Sequence, residues 1–473
     1  MKIVRPLFYS AVAGCMFASC KTSITTIPVP NGTNISINIP AKKGSLTEEE
    51  MQRWSHADLE KDSIPGMSIA KAYQFLEGKK GSPIIVAIAD SGVDVEHEDL
   101  KNVAWVNPKE IAGNNIDDDK NGYVDDIYGW NFLGNENGDI VVADQLEITR
   151  IVKKGRDTFG DQKASEIAEE DRIEYENFLK IQEEFNRVSE AKKTEIANLE
   201  KTAERILQIE ENFKAVKKLV GKEDYTEEDL KAIKTEDPKE AAQIADIVNL
   251  LKNGATEEGL LEYKTGLLEY KEDQEATKSY DLEFNERQSL GDDLYDITDK
   301  NYGNNNVIGS KDLESHGTHV AGIVAASRDN NKGVNGVANH VKIMVVRVVP
   351  DGDEHDKDVA LGIRYAVDNG AKIINTSFGK KYSPNKEWVF EAIQYAAQKD
   401  VLIVNASGND GKNIDVEKTY PNDSRDLINE ISDNVLTLGA MSMYYDERLP
   451  ASFSNYGKVN VDVFAPGVGI YST

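Results

Sequence analysis

The sequence predicts an α/β protein: a parallel sheet flanked by helices and interrupted by a large helical insertion. Three observations carry this. Pro83-Ile84-Ile85-Val86-Ala87-Ile88-Ala89 is a continuous apolar run rich in β-branched residues, the pattern of a parallel strand buried on both faces. After residue 316 such runs alternate with helical stretches, the order that builds parallel sheets. Between residues 144 and 300 the chain is instead charged, nearly free of proline and helical in period.

In chain order, Ser68 to Leu76 reads as a helix and 83–89 as the first strand, ending at Asp90-Ser91-Gly92-Val93-Asp94. A carboxylate at the C-terminal end of a buried strand stands where open α/β sheets build their sites. In the insertion, Phe178, Ile181, Phe185 and Val188 step by three and four, as do Ile196, Leu199, Ala203 and Ile206. These stripes predict one long helix or an antiparallel pair. Thr226 with Asp229 marks a helix start, Pro238 is read as its end, and Ile244 to Leu251 as another short helix. Strands follow at 341–349, 373–379, 401–404, 435–440 and 461–464, with helices at 358–369 and 387–399.

A net charge of -28 repels nucleic acid and anionic headgroups, which excludes both as partners. The two cysteines, Cys15 and Cys20, lie in the first twenty residues, so the folded part has neither disulfide nor thiolate metal site. Lys2 and Arg5 precede an apolar stretch, Leu7 to Ala18, too short to span a bilayer. Phe17-Ala18-Ser19-Cys20 then looks like a bacterial lipobox, with Cys20 the lipidated residue; Val12-Ala13-Gly14-Cys15 is a competing match, and an ordinary cleaved signal peptide is the plainer alternative. All predict export, and the lipobox predicts a cell-envelope lipoprotein that touches the membrane only through that anchor.

Asp117, Asp119, Asn121, Gly122, the carbonyl of Tyr123, and Asp125 follow the spacing of a calcium loop. Position twelve is Tyr128 rather than glutamate, so a full EF-hand is absent. Structural calcium is the expectation, against a merely solvated acidic loop.

Ser315-His316-Gly317-Thr318-His319 sets an imidazole at the mouth of an apolar helix, and Ser407-Gly408-Asn409 follows a strand. An acid to orient a histidine, a histidine as base and an amide donor form a set suited to acyl transfer. These residues carry a resemblance. Ile88-Ala89-Asp90-Ser91-Gly92 and Ser315-His316-Gly317-Thr318-His319-Val320-Ala321-Gly322 resemble the aspartate and histidine motifs of subtilisin-like serine proteases. Ser407-Gly408-Asn409 resembles their oxyanion segment. Ala451-Ser452-Phe453-Ser454-Asn455-Tyr456-Gly457 and Ala465-Pro466-Gly467-Val468 resemble the segments leading to the serine. The resemblance covers roughly 54–143 and 300–473.

It implies a subtilisin-like parallel sheet and an endopeptidase acting on polypeptides. Asp90 would orient His316, His316 would be the general base, and Asn409 would donate to the oxyanion, a donor worth about 3–4 kcal/mol in this family. Ser377-Phe378-Gly379 would pair with an extended peptide, and Ala406, Ser407 and Gly408 would line the pocket beside the scissile bond. His319 reads as structural, and Asp94, His97 and Asp99 as turn or surface residues or calcium auxiliaries.

The domain reading is therefore 1–20 signal peptide, 21–53 tether or pro-segment, 54–143 first part of the protease domain, 144–300 insertion, and 301–473 its second part. The aspartate and histidine stand 226 residues apart, and the insertion, springing from a loop between them, is expected at the rim of the cleft. The family's serine sits in a Gly-Thr-Ser-Met-Ala motif, and these 473 residues contain none. The expectation is a protease whose serine lies beyond Thr473; the alternative is a catalytically inactive protein that binds peptides or a partner on a degenerate protease fold.

Overall fold

The computed structural model describes residues 42, 44–222 and 224–473. Cys20, the signal segment and most of the 21–53 tether lie outside the described residues. The chain divides into two compact units.

The first unit comprises, by number, residues up to 142, 290–349 and 354–473. It is built on seven strands: β1 (Ile84–Asp90), β2 (Gly129–Asn131), β3 (Val341–Arg347), β4 (Ala371–Thr376), β5 (Leu402–Ala406), β6 (Val435–Met441) and β7 (Val463–Pro466). They run in the order β2-β3-β1-β4-β5-β6-β7, and every pairing is parallel. The expected α/β sheet is thus present. β2 was not legible in advance, since three residues are too few to display a period.

β1 lies between β3 and β4, with Ile88 opposite Val345 and Asp90 opposite Arg347. Its side chains alternate between two cores. Ala87 and Ala89 join Phe132, Met344 and Ile374 on one face, under the helices Asp356–Asp368 and Lys386–Gln398. Val86 and Ile88 join Leu100, Ala321 and Val345 on the other, under the helix His316–Ala325. Burial on both faces is why the strand reads as an unbroken apolar run. The chain moves to opposite sides of β1 with β3 and β4, so the C-terminal end of β1 is a topological switch point, where α/β sheets open a crevice.

The second unit comprises Ala143–Ser289 with Pro350–Asp353. Its α-helices are Glu147–Phe159, Arg172–Val220, Glu227–Lys231, Pro238–Lys252 and Glu257–Ala276. The two apolar stripes belong to the single 49-residue helix Arg172–Val220. Its C-terminal half packs Ile209, Phe213 and Val216 on Leu230 and Ile247. The Thr226–Asp229 capping box is formed, each side chain accepting from the other's backbone N–H at 3.2 and 2.9 Å. Pro238 corrects the reading of it as a helix end: that helix stops at Lys231, and Pro238 opens the next, after Asp237 as N-cap. Proline suits a first helical position because its missing N–H would be unpaired there.

The unit edges differ from a 144–300 insertion. Leu290 packs with Leu133 and Val141 in the sheet unit. Lys357 there donates to Asp292 and Asp299 at 3.0 and 3.3 Å. These contacts tie residues 290–300 to the sheet.

Candidate active site

Asp90 is the last residue of β1 and 2% exposed. Its Oδ1 accepts from the Ser91 N–H at 2.8 Å and pairs with His316 Nδ1 at 2.8 Å. Its Oδ2 is buried without a hydrogen-bond partner, as is Ser91 Oγ. His316 opens its helix with 61% of its side chain exposed. The two groups, 226 residues apart in sequence, thus meet because β1 ends where that helix begins. Gly317 makes the approach possible: a Cβ there would lie 2.1 Å from the Gly92 carbonyl and 3.1 Å from Asp90 Cβ.

The hydrogen bond to Asp90, reinforced by its charge, holds the His316 imidazole above its ordinary value against the opposing effect of burial. With Nδ1 engaged, Nε2 is the nitrogen left to exchange a proton with a reacting group. His319 is different. Burial lowers its value, and its Nε2 lies 3.2 Å from the Ile470 carbonyl. Asp94 pairs with Lys311 at 3.0 Å, and Asp99 accepts from Asn330 at 2.5 Å.

Behind the pair lies a charged group that sequence reading missed. Arg347, at the end of β3, is fully buried. Its Nε donates to the Ser91 carbonyl at 2.7 Å, Nη1 to Asn131 Oδ1 at 3.0 Å, and Nη2 to the Val141 carbonyl at 2.7 Å and to Glu314. One guanidinium therefore ties the residue after Asp90 to the residue two before His316. An arginine inside the apolar run Ile343-Met344-Val345-Val346-Arg347-Val348-Val349 was the available signal.

Ser377, Ala406, Ser407, Gly408 and Asn409 all line one pocket of about 160 Å³, together with Gly439, Ala440 and Gly467 among others, and no charged side chain lines it. Asn409 itself is exposed. Ser377, Phe378 and Gly379 continue from β4, and backbone pairing resumes at Lys380, whose N–H donates to the Tyr420 carbonyl at 2.8 Å.

In the acidic loop, Asp117 and Asp119 come together with Glu110, which the spacing argument did not include; one oxygen of each lies within 4.8 Å of the others. Asp119 is 4% exposed in its side chain, and its Oδ2 and Glu110 Oε2 are buried without hydrogen-bond partners. Lys109 Nζ is 3.7 Å from Asp119, an ion-pair distance only. Two orphaned, buried carboxylate oxygens facing a third carboxylate fit a hard cation. Asp125 stands outside this cluster: its two oxygens accept from the Gly113 and Asn115 N–H groups at 3.0 and 2.7 Å. Asn121 Oδ1 accepts from the Tyr123 N–H at 2.8 Å, and the Tyr123 ring packs against Trp130, Phe132 and Tyr365. Glu110 precedes the loop by seven residues, so only the fold could add it.

Residues 81–473 match the model of the Subtilase family. A thermophilic serine proteinase of Bacillus sp. (strain AK1) is 39% identical over 180 residues, covering 38% of this chain and 39% of that protein. The cell wall-associated protease of Bacillus subtilis (strain 168) is 40% identical over 170 residues, 36% of this chain and 17% of the relative. Thermitase of Thermoactinomyces vulgaris is 39% identical over 159 residues, 33% of this chain and 51% of the relative. The matches thus span about half or less of these proteins' lengths. Among the described residues, no helix is long and apolar enough to cross a membrane.

Proposed function

The chain belongs to the subtilase family, and from that premise we propose that it is the aspartate, histidine and asparagine part of an exported serine endopeptidase whose nucleophile is carried beyond Thr473. The observation that carries this reading is the 2.8 Å bond between buried Asp90 and open His316 at the switch point of a parallel sheet.

The chemistry follows from those atoms. Asp90 holds Nδ1, keeping His316 in the tautomer whose Nε2 accepts a proton. Nε2 takes the serine proton as the hydroxyl oxygen attacks the scissile carbonyl carbon, and the carbonyl π pair moves onto oxygen. Asp90 stabilises the imidazolium that results. The Asn409 amide donates to the oxyanion. When the oxyanion collapses, the C–N bond breaks and Nε2 returns its proton to the leaving amine. Water repeats the sequence to free the acyl group. Ser377, Phe378 and Gly379 lend backbone groups to an extended substrate, and Ala406, Ser407 and Gly408 wall an uncharged pocket. Calcium, held by Glu110, Asp117 and Asp119, with Asn121, Tyr123 and Asp125 shaping the loop around them, would supply structural rigidity and no chemical step. Export and anchoring rest on the lipobox-like Phe17-Ala18-Ser19-Cys20.

A second reading, a binding protein with an inactive protease fold, has one observation in its favour: no Gly-Thr-Ser-Met-Ala stretch occurs in these 473 residues. A fluorophosphonate probe separates the two. The full-length gene product should be labelled at a serine beyond Thr473, and labelling should need His316. A stop codon directly after residue 473, with no labelling, would establish the binder instead.

A further inference from the structure

We propose that Asn455 is a positioning residue for Asn409, clamping the loop that aims the oxyanion donor. This rests on the proteolytic reading for its purpose but on separate geometry for its substance. Asn455 is fully buried. Its Nδ2 donates to the Ser407 carbonyl at 2.8 Å, and its Oδ1 accepts from both the Asp410 N–H at 3.1 Å and the Lys412 N–H at 2.9 Å. Its own backbone N–H donates to the Gly408 carbonyl at 2.9 Å. Four hydrogen bonds from one residue therefore bracket Asn409 on both sides, while Asn409 is exposed at the pocket.

The chemistry of the clamp requires this side chain. It needs one donor and a twice-accepting oxygen on the same short stem. Aspartate offers the acceptors without the donor, and glutamine carries the group one carbon too far. Gly408 completes the fit: its φ is +101°, and a Cβ there would stand 2.5 Å from Asn455 Nδ2. Backbone bonds from the Ser407 N–H to the Leu438 carbonyl at 2.9 Å and from the Gly411 N–H to the Phe453 carbonyl at 2.7 Å hold the ends of the loop, and the Asn455 side chain fixes the stretch between them that aims the donor. An amide acts in an oxyanion hole only when preorganised.

Two measurements test this in the full-length protein. Hydrogen–deuterium exchange across 405–413 should rise at least tenfold in Asn455→Ala, with β1 and β4 unchanged. Asn455→Asp should keep the Asp410 and Lys412 amides protected and so fall between. In peptide hydrolysis, Asn455→Ala should lower kcat by about 10–10²-fold with KM within about twofold, short of the 10²–10³ expected for losing the donor itself. Asn409→Ala combined with Asn455→Ala should be no slower than Asn409→Ala alone. Unchanged exchange in 405–413, or kcat losses that multiply in the double variant, would overturn the proposal. If the parent protein hydrolyses nothing, the proteolytic reading fails, and the exchange measurement alone decides the clamp.

Discussion

Replacing Glu314 by glutamine tests how the histidine loop is held. Glu314 and Arg347 form an ion pair with side chains 4% and 0% exposed. Glutamine preserves shape but removes the negative charge that Glu314 sets against the buried guanidinium. Breaking a buried pair this way costs about 3–5 kcal/mol. At about 2–4 °C per kcal/mol for a domain of some 150–250 residues or more, melting should fall by about 6–20 °C. Tryptophan fluorescence is the assay, because all four tryptophans, at 54, 105, 130 and 388, lie in the sheet unit and none in the helical one. Arg347→Met must cost more than Glu314→Gln. It also removes the donor to the Ser91 and Val141 carbonyls, and each group left unsatisfied adds about 1–3 kcal/mol. A fall of less than about 2 °C in Glu314→Gln, or a milder effect from Arg347→Met, would refute the account of the Asp90 and His316 loops as pinned by one buried pair.

Three further outcomes are expected. By NMR, His316 should titrate above the ordinary imidazole value in this chain, and Asp90→Asn should bring it back down; because the folded value is the raised one, the stability it contributes is present below the ordinary value and fades as pH rises through the folded one. The same ordering sets the acidic limb of the hydrolysis profile, since only the neutral imidazole is a base. Asn409→Ala should lower kcat of the full-length protease by about 10²–10³-fold with KM little changed, a magnitude established on subtilisin itself rather than worked from this structure. Added calcium should raise the melting temperature of the sheet unit, and Asp119→Asn with Glu110→Gln should abolish that rise; an equal rise in the variant would remove these residues as ligands.

What the sequence alone determined is whatever depends on near neighbours. The β1 run and the strand–helix alternation after residue 316 are local patterns, so the sheet, its parallel sense and the candidate residues Asp90, His316 and Asn409 were legible from them. The Thr226 capping box was legible for the same reason. Pro238 was misread because proline both ends helices and begins them, and a local pattern does not say which. Tertiary structure decided the rest. Only the placing of β1 against the helix His316–Ala325 brings carboxylate and imidazole to 2.8 Å. Arg347 and Glu314, Glu110 beside Asp117 and Asp119, and Asn455 beneath the Asn409 loop are likewise pairings across the fold. Hydrogen bonds and charge pairs of this kind join residues far apart in the chain. No periodicity records them, and they exist only once the sheet has set its loops side by side.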